Sequence, residues 1–391
     1  MRNLLYALVL ALVFVLPISK AQAQNETDQI TISLLTCTPG QELYSLFGHS
    51  AIRVQDPSKK MDVVFNFGTF NFNTPNFYLK FCRGKLKYML SVNYYKDFKA
   101  SYKREQRGIV EQELKLSQES KQKLLKALWE NYRPENRYYT YDFLFNNCST
   151  LIRDAMEQKI EGQVEFEKFG EPTQKTFWNL LDVYLKPSPW IYTGIHLILG
   201  MPCDIVATPY QYQFLPDNML AAFDHALITQ NGEKDKFVTK KQELIEETAV
   251  YKPTPWYIHP LFVFALITFI GLLLTLRSLK TKKRLVLLDV IVFGSSSLLG
   301  WLILFMWFLT DHQATGPNLN ILWALPIHLP LLYSLLKKNR SSWVKPYFKY
   351  HSIFILLVIA FWALIPQDLP YTILPFVVLI LIRSIYHATR S

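Results

Sequence analysis

Apolar positions follow one rhythm before residue 250 or so and another after it. In the first part they recur in short runs at a period near two or near 3.6. In the second they form long blocks. Ile30–Thr36 is rich in β-formers and stops at the Pro39-Gly40 turn signal. Glu42–Phe47 reads as a short helix. Alternation resumes over residues 48–54, and residues 63–67 with 69–72 give a strand pair or one strand bent at Gly68. Leu86–Val92 and Gly108–Leu116 are further strands. Ser117 is a helix N-cap for residues 117–131, where Leu124, Leu125 and Leu128 share a face. Residues 138–145 are aromatic and extended, and a helix over 149–158 turns Leu151, Ile152, Ala155 and Met156 to one side. Strands first and helices after give an α+β domain over residues 24–250.

The part over 251–391 reads as a membrane domain of five spans, at about 256–276, 285–309, 319–336, 350–365 and 370–385. Pro326, Pro330 and Pro375 interrupt the last three, so their limits are soft. Arg277, Lys280, Lys282, Lys283 and Arg284 follow the first span; Lys337, Lys338, Arg340, Lys345 and Lys349 follow the third; Arg383 and Arg390 lie in the tail. The other two loops carry Asp311 and Asp368 without Lys or Arg, the positive-inside pattern for an outer N-terminal domain and a cytoplasmic C-terminus. Trp256, Tyr257 and His259 suit an interfacial belt. Residues 1–23 have the marks of a cleaved signal peptide: Arg2, an apolar run from Leu4 to Leu16, and the small-x-small motif Ala21-Gln22-Ala23. Export and span charges therefore agree on one topology, in an inner, cytoplasmic membrane.

Composition changes the picture in two ways. The net charge of +11 belongs largely to span topology, which removes the motive for nucleic-acid binding. Half of the residues are hydrophobic and only 19% are charged, as expected when part of a chain lives in lipid. Four cysteines are too few for a disulfide scaffold, and none is spaced as a C-x-x-C pair; no metal or cofactor is called for. A Cys37–Cys82 bridge stays open.

Cys148 lies where the aromatic run meets a predicted helix start, a place where the dipole lowers a thiol pKa. A structural thiol or half of a disulfide would fit the same place. A nucleophile needs a base, and His49, between Gly48 and Ser50 at a strand start, is the candidate; an ordinary surface or core histidine is the alternative. Asn66 would orient the ring, or be only a bulge residue before Gly68. Asn146, Asn147, Tyr44, Ser149 and the helix-start amides are oxyanion-hole or substrate candidates. Residues 190–201 are apolar but too short to span; a core helix is favoured over an interfacial one. Asp311 and His312 read as solvated loop residues, and His328 as a polar contact between helices.

Five segments carry a resemblance: Thr36–Gly40, Phe47–Arg53, Phe65–Phe70, Pro134–Tyr138 and Tyr141–Thr150, with Thr310–His312 and Asn318–Trp323 in the second part. They resemble the Lnb-type lipoprotein N-acyltransferases, whose outer domain is similar in motif order to permuted papain-like proteins such as lecithin–retinol acyltransferase. The resemblance implies a thiol enzyme with Cys148 as acyl-accepting nucleophile and His49 as base. It would move a fatty acyl chain from a membrane phospholipid to the α-amine of a diacylglyceryl-cysteine lipoprotein. The rival readings are a membrane-anchored cysteine peptidase or amidase acting on cell-wall peptide, with a polar cleft facing away from the bilayer, and a non-enzymatic membrane assembly factor.

Overall fold

The computed structural model describes residues 30–166, 174–230, 232–250, 252–337 and 341–390. The signal peptide expected at 1–23 lies outside the described residues. The outer domain is built on a seven-stranded antiparallel sheet of strand order β10-β5-β1-β2-β3-β4-β6. Its strands are β1 (Thr31–Cys37), β2 (His49–Asp56), β3 (Met61–Thr69), β4 (Lys87–Tyr94), β5 (Ile109–Leu114), β6 (Tyr138–Thr140) and β10 (Val238–Ile245). A second, three-stranded sheet joins β7 (Gln163–Glu165), β8 (Leu227–Gln230) and β9 (Glu233–Lys236). The helices of this domain are α1 (Phe77–Cys82), α2 (Tyr95–Arg104), α3 (Gln118–Tyr132), α4 (Cys148–Lys159), α5 (Phe177–Leu185), α6 (Pro189–Ile198) and α7 (Pro216–His225). The α+β class expected from the pattern is the one observed.

Strand alternation decides what covers each face. Ile52 and Val54 of β2 and Phe65 of β3 point to the side where Leu124 and Leu128 of α3, Ile152 and Met156 of α4 and Phe223 of α7 close the main core. Each such fully buried side chain stabilises the fold by about 1.5–3 kcal/mol. Leu35, Cys37, Ala51 and Val64 point the other way, under Phe98 and Tyr102 of α2. On that face Arg53 is held by Asp62 (2.8 and 2.7 Å) and Glu111 (3.0 Å), with the Tyr95 ring 3.4 Å away. Segments 63–67 and 69–72 are not two strands. One strand runs to Thr69, and its register against β4 slips between Asn66 and Thr69, a bulge at Phe67-Gly68.

The second part holds α8 (Pro260–Thr281), α9 (Val286–Phe308), α10 (His328–Leu336), α11 (Val344–Ala360) and α12 (Leu374–Thr389). By length and composition three helical stretches among the described residues can cross a membrane: Pro260–Thr281, Val286–Phe308 and Tyr371–Thr389. The stretch 319–336 is not one helix. A 3-10 turn covers Leu319–Leu322, and the helix starts only at His328. The reason is local: Pro326 and Pro330 remove helix donors, and Asn318 and Asn320 spend their amides on carbonyls elsewhere. Helix α11 begins before residue 350, running through Lys345 and Lys349. Arg383, counted above as a tail charge, is fully buried in α12 and bonded to Asp289 of α9 (2.8 and 2.5 Å) and Thr275 of α8 (3.0 Å). His328 is buried against Phe293 and, ring edge to face, against His351 (centroids 4.6 Å).

Helix α6 joins the two parts. Tyr192, Thr193 and His196 are buried, as a core helix requires, but the core is shared with the membrane helices. The Trp190 indole donates to the Ile258 carbonyl (2.7 Å), and Thr193 and Thr372 hydroxyls meet at 2.7 Å. His196 stacks on Trp178 at 3.7 Å and reaches Asp182 at 3.0 Å. The Asn318 amide donates to the Leu197 and Ile198 carbonyls, and the Gly200 amide to Ala314. Asp311 and His312 are not merely solvated: the Asp311 amide donates to the Arg83 carbonyl (3.0 Å), and His312 Nε2 to the Phe81 carbonyl (3.0 Å).

Candidate active site

Three local devices bring the chemistry to the end of the sheet. First, Gly48 has φ +78°, and a Cβ there would stand 2.8 Å from the Cys37 carbonyl oxygen, so only glycine turns the chain this tightly into β2. His49 is thereby the first residue of the strand, opposite Cys37. Second, Asn147 caps α4. Its Oδ1 accepts from the Ser149 and Thr150 amides (2.9 and 3.1 Å), and Thr150 Oγ1 accepts from the Asn147 amide (2.8 Å). Cys148 is then the first residue of the helix, and the Ser50 and Ser149 hydroxyls, 3.0 Å apart, lock helix to strand. Third, the bulge carries Gly68 past the thiol: a Cβ on Gly68 would be 3.7 Å from the Cys148 Cβ.

His49, Asn66 and Cys148 come together. His49 Nε2 faces Asn66 Oδ1 at 3.4 Å, a long contact of the kind that tightens when substrate binds. That leaves Nδ1 as the ring nitrogen available to the sulfur. Asn66 is fixed in turn, its amide donating to Asn93 Oδ1 (3.1 Å) and to the Val64 carbonyl (3.3 Å). Burial alone would raise the Cys148 thiol. The charge of His49, a hydrogen bond from its ring, the Ser50 amide and a hydrogen bond with Ser149 outweigh burial and hold the thiol below its ordinary value.

The other thiols contrast with it. All four cysteines are free, so Cys37 and Cys82 form no bridge. Burial pushes Cys37 up to about 12 and raises Cys203 as well. Inert buried thiols behave in this way; a partly exposed thiol with a lowered pKa is the nucleophilic kind.

Of the oxyanion candidates, Asn147 is excluded as a side-chain donor: its amide hydrogens go to the Phe143 and Phe214 carbonyls, both at 2.9 Å. The Asn146 amide donates to the Thr140 carbonyl (2.6 Å). Ser149 spends its amide on Asn147 and its hydroxyl on Ser50. Tyr44 is exposed, its ring edge-on to Phe70 at 6.4 Å. Among the described residues no partner takes the amide of Cys148 itself, which points out of the first turn of α4.

A tyrosine wall that the pattern did not announce stands to one side of the thiol, with Tyr139 and Tyr141 near enough to feel its charge. The Tyr139 hydroxyl accepts from the Gly68 amide (2.5 Å), and Tyr88 and Tyr141 stack at 4.4 Å. Burial pushes Tyr88 up to about 12 and raises Tyr139 and Tyr141, so the wall is neutral at physiological pH. Asn93 was missed too. Its only sequence signal is a polar residue in a β-rich run, and that is weak. Among the described residues no group of three or more His, Cys, Asp or Glu side chains is placed to hold a metal ion.

Residues 18–182 match the family model described as the Lnb N-terminal periplasmic domain, and residues 252–391 match the Lnb transmembrane domain. The chain belongs to the Lnb family. Both domains of that family are present in order, which makes this Lnb protein a membrane protein of lipoprotein maturation with an extracytoplasmic domain. No curated protein and no solved structure matches the chain. His49, Asn66 and Cys148 all fall in the first match, whereas α6, the joint between the two parts, falls in neither.

The lowered thiol gives a first expected result. Alkylation of Cys148 by iodoacetamide, followed by mass spectrometry over a pH series, should rise with an inflection below that of a free cysteine. Removing the imidazole in His49→Ala should move that inflection upward, because the thiolate loses its stabilising charge. An inflection that stays put in the variant would show that His49 does not tune the sulfur.

Proposed function

We propose that this Lnb protein transfers a fatty acyl chain from a membrane phospholipid, through a Cys148 thioester, to the α-amine of diacylglyceryl-cysteine on a lipoprotein. One observation carries the reading: a thiol of lowered pKa, bonded by His49 at a helix N-terminus, stands beside an aromatic wall in a domain joined to membrane helices.

In the first half-reaction His49 takes the thiol proton and the sulfur attacks the ester carbonyl. The oxyanion forms at the helix start, where the free Cys148 amide and the positive end of α4 lie. The carbon–oxygen bond then breaks, and the departing lysophospholipid oxygen takes the proton from His49. In the second half the lipoprotein amine attacks the thioester, His49 accepts the amine proton, and the sulfur leaves and is reprotonated. Asn66 holds the imidazole in one orientation throughout. The topology that goes with this chemistry has residues 24–250 on the periplasmic face of the inner membrane, five spans over 251–391 and a cytoplasmic C-terminus.

The test uses the purified full chain with phospholipid vesicles. Intact mass should show one acyl group replacing one hydrogen, removed by hydroxylamine and discharged when a diacylglyceryl-cysteine peptide is added. A chain that N-acylates the peptide without ever carrying that adduct would contradict the thioester route.

A further inference from the structure

Between β3 and β4 the chain leaves the sheet as a lobe, residues 70–86, tipped by α1. Its surface is unusually apolar. Phe72, Tyr78, Leu79 and Phe81 are 64, 78, 56 and 45% exposed within ten residues of chain, and the rings of Phe72, Tyr78 and Phe81 all meet that of Phe77. Such a patch on an extracytoplasmic domain has an occupant, and three observations identify it.

The first is position. The Arg83 carbonyl accepts from the Asp311 amide and the Phe81 carbonyl from His312, so the lobe is fastened to the loop that directly follows the spanning helix α9. Beside it are Phe308 and Leu309, 65 and 63% exposed at the outer end of that span. The lobe therefore stands at the level where the span leaves lipid. The second is charge. Lys80, Arg83 and Lys85 lie within the lobe and no Asp or Glu occurs between Asp62 and Asp97, so three cations stand against Asp311, the carboxylate that the fastening loop brings beside Gly84. Cations around an apolar face suit lipid phosphate. The third is continuity with the site. Phe81 stacks on Phe77 (6.3 Å), Phe77 meets Phe70 (5.8 Å), Phe70 meets Tyr88 (5.3 Å), and Tyr88 stacks on Tyr141 (4.4 Å). Tyr139, across from Tyr88 in the sheet, bonds Gly68 next to Cys148.

We propose that the 70–86 lobe is seated in the outer leaflet of the bilayer, and that the aromatic strip behind it is the track along which one phospholipid acyl chain reaches Cys148. The seating stands on the lobe alone; the track rests on the acyl-transfer reading. The basic fringe holds the phosphate while the chain lies along Phe77, Phe70 and Tyr88.

Cys82, exposed at the end of α1, is a ready reporter. In the full-length Cys148→Ser chain, where Cys37 and Cys203 are buried, a nitroxide on Cys82 is read in phospholipid vesicles by collision with oxygen and with a water-soluble nickel chelate. Seating predicts strong oxygen and weak nickel collision; a nickel accessibility equal to that of a label in water overturns it. The track is read separately, with Cys148 present. Phe77→Glu, which puts a charge in the middle of the strip, should slow thioester formation from vesicle phospholipid at least tenfold; an unchanged rate overturns the track. A wild-type chain that forms no thioester at all sinks the acyl-transfer reading and the track with it, while the nitroxide result still decides the seating.

Discussion

Cys148→Ser should lower lipoprotein N-acylation by about 10³-fold or more, since loss of the nucleophile in such a unit removes nearly the whole covalent route. A serine hydroxyl in the same place ionises far less readily than the thiol, and the bonds that hold the sulfur low are too few to compensate. His49→Ala belongs to the same unit and should cost on the order of 10²–10⁴-fold, the usual contribution of a positioned base. The measurement is intact-mass analysis of lipoproteins from cells in which the variant is the only source of the activity. Normal N-acylation in Cys148→Ser would falsify the mechanism, and the assembly-factor reading would then replace it.

The second large effect concerns stability. Asp289→Ala should destabilise the membrane part by about 3–5 kcal/mol, because it leaves Arg383 charged, fully buried and without its carboxylate. Thr275 alone cannot neutralise a guanidinium. A double variant, Asp289→Leu with Arg383→Leu, should recover most of that loss, since it removes the burial cost together with the pair. Thermal unfolding in one detergent compares the three chains. Equal losses for the single and double variants would mean that helix packing, not the ion pair, holds α8, α9 and α12 together.

Strands β1 to β5 and the helix carrying Cys148 were legible because their signals are local, whereas β10, at the edge of the same sheet, was not read. Alternation in residues 48–54 and 108–116 marks two strands, observed at His49–Asp56 and Ile109–Leu114, and Ser117, three residues before the Ser120 amide it accepts from, marks the start of α3. Asn147 beside Cys148 is the same kind of signal, and it places the thiol at a helix start. His49 was legible through Gly48, whose backbone conformation admits no side chain.

What stayed hidden depends on partners far along the chain. Helix α2 is mostly polar, and it is tied to the sheet by three residues alone in a charged run, Tyr95, Phe98 and Tyr102. The tyrosine wall arises from strand pairing of β4 with β6, which no window of sequence displays. Asn147 looked like an oxyanion donor because it adjoins the thiol, yet two distant carbonyls claim its amide. Arg383 was counted as a topology charge because a basic residue near a chain end usually is one; its carboxylate partner is in another helix. Span three was overextended because apolar content persists through residues whose prolines and asparagines break the helix.

The bonds made by α6 and by residues 311–320 bear on reach. Trp190, Thr193, Gly200 and Asn318 dock the thiol domain onto the helices from several sides at once. The covalent link from β10 to α8 is therefore not what sets how high the sulfur stands over the lipid. Extra residues spliced into that link would leave the elevation unchanged, so substrates must come to a stationary sulfur rather than be fetched by a swinging one.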